Sequence, residues 1–265
     1  MAENVILLTY LKRGDITSLE QYLMSESRLP GPRANLELIS AFSALFKSPE
    51  NVTAYWNVLE DWAAISVEQA GVNEPRSFLA YCAVQSLGPA YLVAPRHRSA
   101  IAGLLRNAAN DARWRQREMA AMACQLMAEE QFSLVQELFT AWLADATPLE
   151  KRAVLAALAH LPILKDAAVA GYALRVCGEI VDDLILQSPD TLREEDWKVL
   201  IQGLEYAPSV FAAYAPTQGF VMLEGWARKH QPVLSKIVKS NLGKARISKP
   251  FPAEVHRIHR LLSGD

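Results

Sequence analysis

The sequence predicts an all-α protein. Three observations support this fold class: Ala, Leu, Glu, Gln and Arg dominate, alternating β-branched runs are nearly absent, and apolar residues recur three or four positions apart. The 265 residues are 51% hydrophobic and 21% charged, which is a globular composition and not that of a disordered chain. A chain of this length is expected to bury a sizeable core.

Two early segments show the spacing of amphipathic helices. Apolar residues lie three or four apart from Leu36 to Phe46, and again from Val52 to Ala63. Each pattern predicts a helix with one buried stripe. Three later segments, 74–84, 114–124 and 149–159, continue as runs of small and apolar residues and predict further helices.

Proline and glycine divide the chain at short intervals, which predicts about a dozen helices joined by short loops. Ser48-Pro49 and Thr147-Pro148 each match an N-cap followed by proline at the first helical position. Thr147 and Glu150 also have the spacing of a capping box. Many of the other breakers, a set that includes Gly88-Pro89, fall where a helix is expected to begin or end.

The three later segments also resemble one another. Each has an arginine (Arg76, Arg117 or Arg152) early in the helix, and these positions are 41 and 35 residues apart. A helix pair with a short Asp-containing turn and a second helix that opens with Arg resembles a HEAT repeat, most clearly over residues 48–164. The resemblance implies a right-handed α-α superhelix, a solenoid of stacked helix pairs in a single domain (1–265). Small residues would let its inner helices approach closely.

A narrower resemblance covers residues 101–158. The stretch LLRNAANDARWRQREMA, which begins at Leu104, resembles the middle of the HEAT-like DNA alkylation repair proteins, also called alkylpurine DNA glycosylases. In that family, a Trp followed by one or two Arg residues leads into a helix, and the arginines face a basic concave groove that holds the DNA backbone. The resemblance implies that Trp114, Arg115 and Arg117 lie at a groove rim.

The catalytic motif of that family is matched less closely. The family places a Trp, and four residues later an essential Asp, in the helix before this pair, whereas residues 78–88 contain neither. The nearest candidates are Trp56 with Glu60 and Trp56 with Asp61. A glycosylase activity would require Glu60 or Asp61 to stabilise the positive charge that develops on the sugar.

The net charge of −2 is the sum of two opposite charges in different parts of the chain. Residues 1–225 have a balance of −9, whereas residues 226–265 have nine Lys and Arg against Glu254 and Asp265, a balance of +7. The last segment is expected to cap the domain, because terminal repeats need a polar outer surface. The alternative is that this segment shares one concave face with a second basic cluster, between residues 96 and 117, and that this face binds nucleic acid. Its candidate residues are Arg96, Arg98, Arg106, Arg113, Trp114, Arg115, Arg117, Lys236, Lys239, Lys244 and Arg246.

Several kinds of site are not expected. Cys82, Cys124 and Cys177 lack the spacing of disulfide or zinc motifs and are expected to be thiols in helix cores. P-loop, GxGxxG, GxSxG and HExxH motifs are absent, so no cofactor and no metal is predicted. Without a signal-peptide pattern or an apolar run of about 18 residues, a cytoplasmic protein with no membrane contact is expected.

The sequence predicts a non-enzymatic binding scaffold that uses the concave face of the solenoid, with a protein as its partner. The alternative is a DNA-binding or DNA-alkylation-repair-type protein that holds the duplex backbone in a basic groove. Trp114, which has charged neighbours in the sequence, has two interpretations. It is either a lid over the joint between two repeats or an exposed stacking surface.

Overall fold

All secondary structure in the described part of the chain is helical. The computed structural model describes the backbone of residues 2–263 and the side chains of residues 5–263, and no strand occurs among them. None of their helices is long and apolar enough to cross a membrane. The all-α class is therefore confirmed. Asp265, which was counted in the charge of the last segment, lies outside the described residues.

The chain divides into two compact units, with the boundary between Trp142 and Leu143. Short 3₁₀ helices cover Leu45–Lys47 and Pro95–His97 in the first unit. Its α-helices are α1 (Ala2–Arg13), α2 (Ile16–Ser25), α3 (Leu36–Ala44), α4 (Pro49–Ala63), α5 (Ser77–Val93), α6 (Arg98–Ala109), α7 (Trp114–Glu130) and α8 (Phe132–Leu143), which ends at the boundary.

The second unit is also helical, with one 3₁₀ helix at Thr191–Arg193. Over the described residues the chain has seventeen α-helices, more than the dozen expected, and two of them, α10 and α16, are single turns. The α-helices of this unit are α9 (Pro148–Leu158), α10 (Leu161–Leu164), α11 (Ala167–Leu184), α12 (Glu195–Leu204), α13 (Ala207–Tyr214), α14 (Pro216–Arg228), α15 (Pro232–Leu242), α16 (Ala245–Ser248) and α17 (Pro252–Ser263).

The two predicted helix starts are confirmed. Ser48 accepts a hydrogen bond from the main-chain N–H of Asn51 at 3.3 Å, and Pro49 is the first residue of α4. Thr147 forms the expected capping box with Glu150, since each side chain accepts a hydrogen bond from the main-chain N–H of the other residue at 3.1 Å. These contacts satisfy N–H groups that a helix start leaves without intrahelical acceptors.

Helix α5 forms the centre of the first unit. Residues 77–91 are all buried, and the helix packs against α3, α4 and α7. Gly88 lies so close to α7 that a Cβ atom there would overlap the main-chain carbonyl group of Ala123. The close approach of helices that the small residues predict is therefore present between α5 and α7.

The Gly88-Pro89 pair does not end α5, contrary to the expectation for a helix breaker, and the helix continues to Val93. Pro89 has no N–H, so the carbonyl oxygen of Gln85 loses its usual helical donor. The Oγ of Ser43 in α3 donates a hydrogen bond to that oxygen at 3.3 Å. A neighbouring helix thus satisfies the carbonyl group that the proline leaves unpaired.

Asn241 in α15 ties three helices of the second unit together. Its Nδ2 donates to the carbonyl oxygens of Leu204 and Ile237, each at 2.8 Å. Its Oδ1 accepts from the main-chain N–H of Ser209 in α13, also at 2.8 Å. The side chain is completely buried, so these hydrogen bonds supply the partners that a buried amide needs.

The three cysteines occupy helix cores, as expected. Cys82 lies in α5, Cys124 in α7 and Cys177 in α11, and each is a free, buried thiol. Burial raises the pKa of the Cys124 thiol to about 12, because the thiolate form would lose its solvation. These thiols are therefore protonated packing groups at neutral pH.

Candidate functional site

Arg113 lies immediately before α7 and is 2% exposed. Its Nε and Nη2 donate to the carboxylate of Asp111, at 2.8 and 2.6 Å. It also donates to the carbonyl oxygens of Ile65, at 2.6 Å, and of Ala70, at 3.1 Å. Burial alone lowers the pKa of Arg113, but the hydrogen bond and charge of Asp111 outweigh burial and raise it overall. Arg113 therefore holds the connection between α4 and α5 in place.

Arg115 is the second residue of α7 and is also buried. The indole ring of Trp114 lies beside it, with the Arg115 Cζ 4.6 Å from the ring centroid. No carboxylate is among the hydrogen-bond acceptors of Arg115 in the described part of the chain. It donates, over distances of 2.8 to 3.2 Å, to four neutral acceptors: Val72 O, Asn73 Oδ1, Gly31 O and Pro32 O.

Trp114 forms part of the wall of an apolar groove of about 270 Å³, called the Trp114 groove below. Trp114 is 50% exposed and Leu36, on α3, is 46% exposed. An indole that is half exposed but rests on a fixed guanidinium is a preformed contact surface. The groove is lined by Pro32, Arg33, Ala34, Leu36, Ile39, Tyr81, Trp114, Arg115, Glu118, Met119 and Met122.

Arg117 and Arg106 are both partly buried. The Nη1 of Arg117 donates to the carbonyl oxygens of Asp111 and Ala112, at 2.7 and 3.1 Å. Arg106 lies in the last turn of α6, where its carbonyl oxygen accepts from Asn110 Nδ2 at 3.0 Å. Like Arg113 and Arg115, Arg117 directs donors towards main-chain oxygens. Phosphate binding by these arginines stays a prediction.

Arg96 and Arg98 follow the C-terminal end of α5, in the 3₁₀ helix Pro95–His97 and at the start of α6. Arg96 donates to Thr53 Oγ1 at 2.8 Å, and Arg98 donates to the carbonyl oxygen of Tyr91 at 3.0 Å. Arg115 contacts the residues that precede the N-terminal end of the same helix. The 17 residues of α5 separate its ends by roughly 25 Å. The structure therefore does not bring Arg96 and Arg98 together with Arg115.

Glu60 and Asp61 are both exposed near the end of α4. Asp61 lines a cavity of about 570 Å³ that also includes Glu20 and Trp62, whereas Glu60 is not among its lining residues. Glu20 Oε1 accepts a hydrogen bond from Trp62 Nε1 at 2.9 Å, which fixes one carboxylate at the cavity wall. Trp56, the expected neighbour of either acid, stacks on the ring of His97. A catalytic role for Glu60 or Asp61 stays a prediction.

The basic candidates of the second unit lie around α15 and α16. Lys236 forms an ion pair with Glu205 at 2.7 Å, and Lys239 is exposed. Lys244 and Arg246 are partly buried, and the Arg246 Cζ lies 4.3 Å from the ring centroid of Tyr206. These residues belong to a different compact unit from Arg96 to Arg117.

Of the residues that line the Trp114 groove, sequence reasoning named only Trp114 and Arg115 as candidates. Leu36 was expected in the buried stripe of α3, but it is the first residue of that helix and is nearly half exposed. Met119 and Met122 lie in the small-residue run of α7, which predicts only a buried face. The one available signal was Trp114, whose charged neighbours left an exposed stacking surface as one of its two interpretations.

The described residues contain no group of three or more His, Cys, Asp or Glu side chains that could hold a metal ion. Neither protein-family models, nor curated protein sequences, nor solved structures show a match to this chain. Any functional inference therefore depends on the cavities and side chains described above.

Proposed function

We propose that this protein is a non-enzymatic binding scaffold of the HEAT-like solenoid type, with a protein as its partner. Its Trp114 groove binds an apolar segment of that partner, and the segment also carries an acidic side chain. The observation that supports this proposal is the arrangement of Trp114, which is half exposed although its ring rests on the buried guanidinium of Arg115.

The rigidity of Trp114 favours a role in binding. Arg115 is held by four hydrogen bonds to the connections before α3 and α5, so the platform beneath the indole is fixed before a partner arrives. Binding then costs little side-chain entropy at this position. Tryptophan residues in such settings often contribute a large share of the binding energy at protein interfaces.

The charges around the groove favour an acidic partner. Arg115 has only neutral acceptors, and Arg33 adds a second positive charge at the exposed rim. Glu118 is the single carboxylate among the described lining residues, so the groove wall has a net positive charge. An Asp or Glu that follows an apolar residue in the partner would lie close to this charge.

The helix contacts support the HEAT-like part of the proposal. Consecutive helices α4 and α5 pack together, as do α6 and α7, and α5 packs against α7 through the small residues Gly88 and Ala123. Stacked helix pairs that share a core through small residues are the organisation that the HEAT resemblance implies. The cytoplasmic location inferred from the sequence is part of the same proposal.

The alternative function is DNA binding of the alkylation-repair type. It requires arginine side chains that can reach phosphate oxygens. The donors of Arg113 and Arg115 are directed to carboxylate, amide and main-chain oxygens within the first unit, which favours a structural role for them. The protein partner is therefore preferred, and duplex DNA is included in the experiment below.

The experiment compares the full chain with its Trp114→Ala variant as bait for proteins of the native host. Val221→Ala, an exposed apolar residue of the other unit, is the matched control. The informative partners are those that the full chain and Val221→Ala capture but Trp114→Ala does not. For each such partner, overlapping peptides identify the segment that binds. We expect an apolar segment with an Asp or Glu whose replacement by Lys weakens binding at least tenfold.

Two outcomes would overturn the proposal. The first is that Trp114→Ala, shown by circular dichroism to be folded, retains the same partners as the control. The second is that the full chain binds a short DNA duplex with an affinity that falls steeply with salt, while no protein depends on Trp114. The second outcome would support the DNA-binding alternative instead.

A further inference from the structure

The second unit contains a cavity of about 390 Å³, called the Arg246 cavity below. It lies among α10, α13 and α16 and the residues beside them. Three large side chains of its wall, one aliphatic and two aromatic, are exposed: Leu161 at 53%, Tyr206 at 49% and Tyr214 at 37%. Large apolar side chains are rarely exposed together without a binding role. The remaining lining residues are Val210, Ala213 and Arg246.

Arg246 is the charged group among the described residues that line this cavity. Its Nη1 is shielded from solvent and has no hydrogen-bond partner in the described chain. The guanidinium is held in place by Tyr206, whose ring centroid lies 4.3 Å from the Arg246 Cζ. By contrast, Arg228 and Arg257 of the same unit both pair with Glu224. No described residue accepts a hydrogen bond from the Arg246 guanidinium, so the donors that stay open to the cavity are suited to a carboxylate supplied from outside.

The charge around the cavity also favours an anion. No carboxylate is among the described residues that line it. The nearest acid in sequence to Tyr206 is Glu205, which is paired with Lys236 at 2.7 Å. Lys244 and Lys249, on either side of α16 in the sequence, add positive charge to the segment that carries Arg246. The charged residues named here sum to a net positive charge, which favours a negative group.

We propose that the Arg246 cavity binds a small-molecule monocarboxylate with an apolar body. The carboxylate accepts hydrogen bonds from the Arg246 guanidinium, and the body packs against Tyr206, Tyr214 and Leu161. The volume lies within the range of small-ligand pockets and is larger than an inorganic anion needs. This site belongs to the second unit and does not depend on the function proposed for the Trp114 groove.

The test measures binding of 2-naphthoate to the full chain by isothermal titration calorimetry. Its uncharged analogue, 2-naphthamide, has nearly the same shape, and inorganic phosphate has the charge without the apolar body. We expect 2-naphthoate to bind at least tenfold more tightly than either. Equal binding of 2-naphthoate and 2-naphthamide would overturn the role of Arg246. Equal binding of phosphate would overturn the role of the apolar walls.

Variants locate the binding in the cavity. Arg246→Gln should weaken 2-naphthoate binding at least tenfold, and Arg246→Lys should weaken it less, because an ammonium keeps the charge but not the planar fork. Arg193→Gln makes the same charge change at an exposed site of the same unit and should change binding less than twofold. Ala213→Phe, which fills the cavity and leaves Arg246 in place, should also reduce binding. Unchanged binding in both Arg246→Gln and Ala213→Phe would overturn the proposal.

Discussion

Ser43 donates a hydrogen bond to the carbonyl oxygen of Gln85, from α3 to α5, at 3.3 Å. In an uninterrupted helix that oxygen would accept from the main-chain N–H of residue 89, but residue 89 is proline. A side chain of one helix thus replaces the donor that another helix lacks. The contact explains how α5 passes through Gly88-Pro89 in a buried setting.

Replacing Ser43 by Ala is expected to lower the free energy of unfolding by about 1–3 kcal/mol, because it leaves the buried Gln85 carbonyl without a donor. In a Pro89→Ala background the same change should cost less, since the alanine supplies a main-chain N–H that can bond to Gln85. The two changes are then non-additive. Urea denaturation of the four proteins measures the difference, and an equal cost in both backgrounds would contradict the assignment.

Arg113→Ala is expected to destabilise the protein by about 3–5 kcal/mol, because it leaves the Asp111 carboxylate and two carbonyl oxygens without their buried donor. Arg113→Lys should fall between this variant and the unmodified protein. The exposed Arg193→Ala is the control and should change the free energy of unfolding by less than about 0.5 kcal/mol. A loss for Arg113→Ala as small as that of the control would exclude a structural role.

Replacing each of two glycines in neighbouring helices by alanine should change the free energy of unfolding in opposite directions. Gly88→Ala places a Cβ against the Ala123 carbonyl group and should destabilise the protein by about 1–3 kcal/mol. Gly103→Ala, in α6, has no neighbouring atom within 4 Å and should stabilise the protein by about 0.5–1 kcal/mol. Thermal unfolding of both variants checks the signs. A stabilising Gly88→Ala would show that α5 and α7 are further apart than described.

Glu224 is expected to make stability depend on pH. Hydrogen bonds from Arg228 and Arg257 hold the pKa of Glu224 below its ordinary value. A lowered folded-state pKa adds stability above the unfolded-state pKa of about 4.3, and this stability is lost as pH falls through the folded-state value. Glu224→Gln should therefore cost up to about 1 kcal/mol at pH 7 and less at pH 3. Urea titrations at both pH values measure the two costs, and equal costs would contradict the prediction.

Much of the local helical structure could be predicted because it depends on nearby residues. The N-caps at Ser48 and Thr147 follow from hydroxyl groups placed before proline. The Ala-rich segments became α5, α7 and α9, since small and unbranched side chains favour helix and suit close packing. The expectation that Gly88-Pro89 ends a helix was wrong. The hydrogen-bond donor that satisfies the Gln85 carbonyl oxygen comes from Ser43, which is 42 residues away in the sequence.

The candidate sites were less predictable. The arginines around Trp114 read as a basic cluster, yet Arg113 and Arg115 are buried against main-chain oxygens from distant connections. A sequence shows which residues carry charge, but the acceptors that bind a guanidinium are brought to it only by folding. The Trp114 groove and the Arg246 cavity likewise combine residues from separate helices.

The sequence by itself determined the helical class, several helix starts and the uneven distribution of charge, because these depend on residue type and on spacing within a turn or two. Only the tertiary structure decided which side chains are free to bind. It directed the donors of Arg113 to Asp111 and the main chain, placed Trp114 half exposed on Arg115, and left Arg246 without a hydrogen-bond acceptor among the described residues. The physical reason is that burial and hydrogen-bond partners are properties of packing, and packing joins residues that are far apart in the chain.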